Sequence, residues 1–416
     1  MKILVVGSGG REHAICWKIQ ENKNVEKIYC APGNAGIELL DKVENIDLKG
    51  MDEILEFAEK EKIDLTMVGS EELLVAGIVD RFKEKGLKIF GPDSKAALLE
   101  GSKAYAKEFM KKYGVKTAAY EIFTDADKAK AYLETINFPV VIKASGLAAG
   151  KGVLICADIK EGIEAVNDIM VDKKFNDAGN EVVIEEFLEG VEASILSITD
   201  SKQIVSFISA KDHKKIGEGD TGLNTGGMGV IAPNPYVTSE VYDQYLKDIV
   251  EPTLDGIKSE SLDFCGVIFF GLMINSRGVY LLEYNMRMGD PETQVVLPLL
   301  DSDFLDILTD TLSGTLDENK IKWKDQSACC VVAASGGYPE SYNKGYEITG
   351  CETVEDLVFM AGVKKEDEKF VTAGGRVLNV VALGKDLDAA KKNAYNSIEK
   401  IKFDKMYYRR DIGKIN

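Results

Sequence analysis

The sequence is short of the side chains on which much covalent catalysis turns. Only two histidines, His13 and His213, occur in 416 residues. No Ser-His-Asp or Cys-His arrangement is evident, so acyl transfer through a protein nucleophile is not expected, and each histidine reads as a hydrogen-bonding or phosphate-side group. The seven cysteines, at 16, 30, 156, 265, 329, 330 and 351, are odd in number and lack any CxxC spacing. They lie mostly in apolar strand-like runs and read as reduced core residues of a cytoplasmic protein. Long apolar runs are missing too. The longest, Phe264 to Ile274, contains Gly266 and Gly271 and falls short of the roughly 20 residues of a membrane span. The amino terminus, MKILVVGSGGREH, breaks into glycines too soon for the apolar region of a signal peptide and reads as a first strand. Basic charge is also in deficit, with 51 Lys and Arg against 69 Asp and Glu and a net charge of -18. Such a chain repels a nucleic-acid backbone or an anionic membrane, so any phosphate must be held locally.

What is present is apolar material for more than one core: 45% of the residues are hydrophobic, and the length implies two to four domains. Residues 1 to about 100 alternate β-branched runs (KILVV, KIYCA, DLTMVG, KIFG) with helical patterns, which predicts a parallel sheet with crossover helices. A long helix is expected from Ser94 to Lys112. Residues 114 to about 188 read as a small lobe in which PVVIKAS and VLICA form a hairpin around GLAAGKG. Antiparallel strands follow in ASILSIT, QIVSFISA, GVIFFGLMIN and VYLLEYN, together with the glycine-rich GEGDTGLNTGGMG. Beyond about 326, further strands and a helix through Leu387, Ala390, Ala394, Ile398 and Ile401 suggest a separate small α+β domain. There is no fixed-period repeat and no low-complexity linker.

Three glycine or acidic segments carry candidate chemistry. Gly7-Ser8-Gly9-Gly10 follows a strand and opens a helix, yet Glu12 stands at the third glycine position of a dinucleotide fingerprint, and Cys30-Ala31-Pro32-Gly33 offers no acidic ribose ligand. The turn is either an anion site with Arg11 beside free amides or a purely geometric turn. Gly146, Gly150, Lys151 and Gly152 superficially resemble a P-loop, but the first two glycines are one residue too close and a strand follows. The loop is either a structural hairpin or a lid whose amides fold over phosphates, with Lys143 on the preceding strand to neutralise them. Glu185, Glu186, Leu188 and Glu192 follow the run VVI and offer either a solvated edge or backbone and acidic groups for an adenine and a ribose.

The last element is the strand LLEYN. Alternate strand residues share a face, so Glu283 and Asn285 point the same way, as hard oxygen ligands for Mg2+ or as a buried hydrogen-bonded pair. Arg287 continues that face, and Gly289-Asp290-Pro291-Glu292 places two more acids beside it.

Lysine, glycine lid, acidic linker and Glu-x-Asn strand, in this order, resemble the parts of an ATP-grasp ligase. Within that group, GSGGREHA, EGSKAYAKEFM, IKASGLAAGKGV, EEFLEGVEAS, DHKKIGEGDTGLNTGGMG and EYNMRMGDPETQ resemble the phosphoribosylamine–glycine ligase family over essentially the whole chain. The resemblance implies a mixed α/β and α+β fold: a Rossmann-like domain at 1–100, an ATP-grasp core at 101–325 and a small α+β domain at 326–416. It implies ATP-dependent joining of glycine to 5-phosphoribosylamine through a glycyl phosphate, in purine biosynthesis, with Mg2+ or Mn2+. Lys103 and Lys143 would serve the phosphates under the lid of Gly146, Gly150, Lys151 and Gly152. Glu185, Glu186 and Leu188 would lie at adenine, Glu192 at ribose, and Glu283 with Asn285 at the metal. Gly9, Gly10 and Arg11 are expected at phosphoribosylamine, Asp212 at substrate, and Arg287 and Asp290 near glycine, with Arg287, Lys143 and Asp290 catalytic. No nucleic acid, membrane or obligate protein partner is expected. Ser70, Ser145, Lys211 and Leu223 depart from the family pattern, and Gly271 stands where many ATP-grasp enzymes carry an acidic metal ligand. Another ATP-grasp ligase, or a nucleotide-binding regulatory protein without turnover, are the rival readings.

Overall fold

A computed structural model describes residues 1–148, 151–262 and 264–415. The amino-terminal alternation folds as expected into a five-stranded parallel sheet, in the order Val43–Asn45, Lys27–Pro32, Lys2–Gly7, Leu65–Val68, Ile89–Phe90. Its strands are apolar on both faces because helices cover both sides: Ile3 and Val5 join one core, Leu4 and Val6 another. The predicted helix from Ser94 to Lys112 is instead two, Ser94–Gly101 and Lys103–Tyr113. Ser102 takes an extended conformation between them and its hydroxyl accepts the Tyr105 amide, so a helix-capping residue ended one helix and began the next.

The small lobe is a four-stranded antiparallel sheet ordered Tyr120–Phe123, Val182–Glu186, Val140–Ala144, Val153–Cys156. The strands flanking the glycine loop pair as the expected hairpin, with Lys143 opposite Val153.

The larger body is a nine-stranded sheet whose order begins Gly278–Asn285, Gly266–Asn275, Val191–Thr199, Ile204–Asp212, Gly229–Ala232. It then continues into the carboxy-terminal strands Ser327–Ser335, Arg376–Gly384 and Leu357–Met360. The main carboxy-terminal strands therefore extend the long sheet, while Val363–Glu366 and Lys369–Thr372 pair as a separate two-stranded sheet. Gly229–Ala232 pairs antiparallel with Ser327–Ser335 and joins the two segments through backbone hydrogen bonds. The helix Leu387–Ile398 packs on this extension. Cys16, Cys30, Cys156, Cys329 and Cys330 are buried thiols, as expected. Among the described residues no helix is long and apolar enough to cross a membrane.

Candidate functional site

A cavity of about 360 Å³ lies where the small lobe, the long sheet and the helix Lys103–Tyr113 meet. It gathers Lys103, Lys143, Gly152, Glu185, Glu186, Leu188, Glu192, Asp212, Glu283, Asn285, Arg287 and Asp290 along its wall. Residues nearly two hundred positions apart thus share one site, and an acidic chain holds a local cluster of cations there.

The cations are ordered by one carboxylate. Glu185, on the lobe strand Val182–Glu186, lies with Oε1 2.9 Å from Lys143 Nζ and Oε2 3.0 Å from Lys107 Nζ, all three side chains buried. Burial opposes ionisation of Glu185, but Lys143 and Lys107 outweigh it and hold the carboxyl below its ordinary pKa. Burial brings Lys107 down to about 8 against the pull of Glu185. Lys107 also donates to Thr117 Oγ1 at 2.7 Å, and Thr117 donates to the Leu281 carbonyl at 2.6 Å, tying the lobe to the strand that carries Glu283. Glu185 Oε1 receives no in-line donor, which leaves a buried acceptor at the cavity wall. Lys107 was absent from the sequence-based candidates. It stands four residues after Lys103 in SKAYAK, and that helical spacing was the available signal.

Lys103 reaches the glycine loop directly, donating to the Gly146 carbonyl at 3.2 Å. Ser145 sits at the head of its helix, accepting the Ala104 amide at 3.1 Å and lying 3.3 Å from the Ser102 hydroxyl. This departure from the family pattern thus keeps an oxygen acceptor at a helix N-terminus. Gly146 and Gly152 do not have left-handed backbones; crowding explains them, since a Cβ would come within 2.8 Å of Ala178 and 2.7 Å of Ala148 respectively. Lys151 is exposed and lies off the cavity wall, and Gly150 lies outside the described residues. Leu223 is exposed on the hairpin of Lys215–Gly217 and Thr221–Asn224, while Glu192 pairs with Lys214, which the sequence reading missed, at 2.7 Å.

Glu283 and Asn285 do share a face, and the strand is re-phased to make them do so. Val279 and Leu281 point into the core, and a bulge then intervenes: Leu272 pairs with Leu281, but Gly271 pairs with Glu283. After that extra residue the buried side chains are Tyr284 and Met286, and Glu283, Asn285 and Arg287 turn to the cavity. Burial works against the Glu283 charge, yet Lys214, Lys143, Lys103 and Arg287 together keep its pKa below the ordinary value. Arg287 spans Glu100 at 3.0 Å and Glu71 at 3.5 Å, so the amino-terminal domain also closes on this face.

The amino-terminal turn lies behind the wall. Glu12 engages it: Gly9 N donates to Glu12 Oε2 at 2.7 Å, and Arg11 Nε meets Glu12 Oε1 at 2.5 Å. Glu12 fills the turn, since a Cβ at Gly69 would come within 1.9 Å of its carboxylate. Asp290 holds the other side of the helix start, near Gly9 and the Arg11 amide. Gly10 is closed in by Asn379 and Gln294. At the expected phosphoribosylamine residues Gly9, Gly10 and Arg11, Glu12 thus takes the Gly9 amide and Arg11 Nε while Asp290 takes the Arg11 amide, so a phosphate bound there would compete with two internal carboxylates. Asp290 is itself neutralised by Arg376 at 3.2 Å and accepts a hydrogen bond from Gln294 Nε2 at 2.8 Å.

The two histidines are clamps between segments. His13 Nδ1 accepts the Met360 amide at 2.9 Å, and His213 Nε2 accepts the Gly413 amide at 3.1 Å while its Nδ1 lies 3.0 Å from the Gly229 carbonyl. Burial brings both pKa values down to about 4.

Comparison with known proteins sets this geometry in context. Residues 1–100, 101–293 and 328–415 match, in turn, the N domain, the ATP-grasp (A) domain and the C domain of phosphoribosylglycinamide synthetase. A phosphoribosylamine–glycine ligase of Fusobacterium nucleatum is 60% identical over 420 residues, spanning 100% of this chain and 99% of the relative. That of Clostridium acetobutylicum is 58% identical, with 100% of each chain covered. The crystal structure of the Thermotoga maritima phosphoribosylamine–glycine ligase superposes with a TM-score of 0.87 at 35% identity, covering 99% of this chain and 100% of that one. The biotin carboxylase domain of Hydrogenobacter thermophilus 2-oxoglutarate carboxylase superposes at 0.75 with 16% identity, over 98% and 91% of the two chains, a likeness of fold.

Proposed function

The chain belongs to the phosphoribosylglycinamide synthetase family of ATP-grasp carbon–nitrogen ligases, and from that membership we propose that the cavity joins glycine to 5-phosphoribosylamine at the expense of ATP, in the cytoplasmic synthesis of purines. The observation that carries the reading is the convergence of Lys103, Lys143 and the Lys107–Glu185 pair with the Glu283–Asn285 face on one cavity.

The reaction activates a carboxylate. A glycine carboxylate oxygen attacks the γ-phosphorus of ATP; the bond from that phosphorus to the β-bridging oxygen breaks, giving glycyl phosphate and ADP. The amine nitrogen of phosphoribosylamine then attacks the glycyl carbonyl carbon, the carbon–oxygen bond to phosphate breaks, and the nitrogen loses a proton to leave the amide and phosphate. Neither step uses a protein nucleophile, in keeping with the poverty in histidine. Lys143 and Lys103 neutralise the charge on the phosphates and hold the nucleotide for in-line transfer. The buried acceptor on Glu185 and the backbone near Glu186 and Leu188 serve the adenine edge, and Glu192 serves the ribose.

Glu283 and Asn285 offer an ionised carboxylate and an amide oxygen side by side, a donor set that fits Mg2+ or Mn2+. When bound there the cation supplies Lewis-acid stabilisation of phosphoryl charge. The test is ADP release with glycine and freshly made phosphoribosylamine, each omitted in turn. Sustained release should require both glycine and phosphoribosylamine. Release with a different carboxylic acid, and none with glycine, would assign the cavity to another ATP-grasp ligase.

A further inference from the structure

Most acidic groups around the cavity have a cation of their own. Glu185 has two lysines, Glu192 has Lys214, Glu100 and Glu71 have Arg287, and Asp290 has Arg376. Asp212, Glu283 and Glu292 do not: among the described residues none of the three makes an ion pair, although all line the cavity, and since Glu283 is the acid given to the metal above, Asp212 and Glu292 remain. They are brought close by Gly227, whose backbone runs against both Asp212 and Pro291, the neighbour of Glu292: a Cβ at Gly227 would stand 2.7 Å from Asp212 Oδ1 and 2.5 Å from the proline ring. Each acid is held on one side by a donor. The His213 amide donates to Asp212 Oδ1 at 2.7 Å, and the Ser194 hydroxyl to Glu292 Oε1 at 3.0 Å. Glu292 is only 4% exposed, and a carboxylate so buried without a cation is costly unless something else compensates it.

A second observation points to what compensates. Arg287, whose charge bears on Glu292, has a buried Nε with no hydrogen-bond acceptor; the nearest carboxylate, Glu71, stands off at 3.5 Å. An unspent donor therefore shares the cavity with two unspent acids, which is the complement of a small zwitterion. Asp290, expected near glycine, cannot play the acidic part, because Arg376, Gln294 and the start of the first helix already satisfy it.

We propose that Asp212 and Glu292 hold the α-ammonium of glycine, turning its carboxylate toward Arg287 and the phosphate side of the cavity, and so determine selectivity for an amino acid over other small acids. The assignment rests on the ligase reading above. It explains why two acids remain together in a cavity whose other acids are paired or assigned to the metal: a substrate cation completes the set. In its absence burial, and then the charge of Glu292, push Asp212 well above the usual carboxylate range, and burial raises Glu292 as well. Ser194 is then a positioning residue, since it acts through Glu292.

Steady-state kinetics of Glu292→Gln and Asp212→Asn, with glycine and ATP varied separately, test this. Each variant should raise KM for glycine by roughly 30- to 100-fold, the weight of one lost charged hydrogen bond, while ATP affinity measured by calorimetry stays within about threefold. Glu292→Asp, which keeps the charge, should recover part of the loss. Wild-type enzyme should release no ADP with glycolate, which lacks the ammonium, and this arm holds even if a variant fails to fold. An unchanged glycine KM, a parallel loss of ATP affinity, or use of glycolate as readily as glycine would overturn the assignment. Failure of the wild type to release ADP with glycine would instead remove the ligase reading on which it rests.

Discussion

Lys143 and Glu185 form a buried ion pair at 2.9 Å, and the lysine stays at the cavity wall while it does so. The pair makes Lys143→Met a double test. Loss of one preorganised cation at the phosphates should lower turnover by about 100- to 1000-fold. Removal of a partner from a buried pair typically costs about 3–5 kcal/mol, and here the loss should be smaller because Lys107 still faces Glu185 at 3.0 Å. Turnover assays with chemical denaturation would register both effects. Normal turnover with lowered stability would make Lys143 a packing residue.

Glu283 is kept ionised by four surrounding cations, so Glu283→Gln removes a charge that the cavity is arranged to retain. The variant should fold and lose most of its turnover at limiting Mg2+, with part recovered as Mg2+ is raised. Titration of turnover against Mg2+ reads this, and a profile identical to the wild type would dismiss the metal assignment.

The histidine clamps predict a pH dependence of stability. An unfolded histidine takes up its proton near pH 6.5, whereas His13 and His213 in the folded chain do so at about 4. Between those values the unfolded chain binds more protons, so stability is full above about pH 6.5 and falls as the pH drops toward 4. Each site contributes on the order of 3 kcal/mol across that window. Denaturation midpoints between pH 7 and pH 5 should decline, and less steeply in His13→Gln or His213→Gln. A flat wild-type profile would refute the buried neutral state.

The amino-terminal turn predicts a ligand preference. Glu12 occupies the space in which a dinucleotide pyrophosphate would sit, and its carboxylate takes the Gly9 amide. Calorimetric titration should show saturable ATP binding and none for NAD. NAD binding that competes with phosphoribosylamine would contradict this account of the turn.

Much of the site was legible because its chemistry lies in short local patterns. A hairpin around glycines, an acidic linker and a Glu-x-Asn strand keep their meaning wherever the chain carries them, and Lys143, Glu192, Glu283 and Asn285 all reach the cavity. Lys107 was missed although it stands one helical turn beyond Lys103, since nothing local says that a lysine in an amphipathic helix will be buried against Glu185. That Glu12 and Asp290 engage the turn of Gly9 and Arg11 was not legible either, since Asp290 lies about 280 positions away.

The sequence by itself determined the order of strands and helices, the parallel amino-terminal sheet, the lid hairpin and the family, all properties of local periodicity and motif. Tertiary structure alone decided three things. Pairing of Gly229–Ala232 with Ser327–Ser335 merged the carboxy-terminal segment into the long sheet, because strand edges choose partners across space. The bulge between Leu281 and Glu283 turned the latter to the cavity, where an unbroken alternation would have sent it into the core with Val279 and Leu281. The charges were likewise allotted by distance: Asp290 went to Arg376 while Asp212 and Glu292 were left without a cation, because the strength of an ionic contact depends on separation and burial, neither of which is written in residue order.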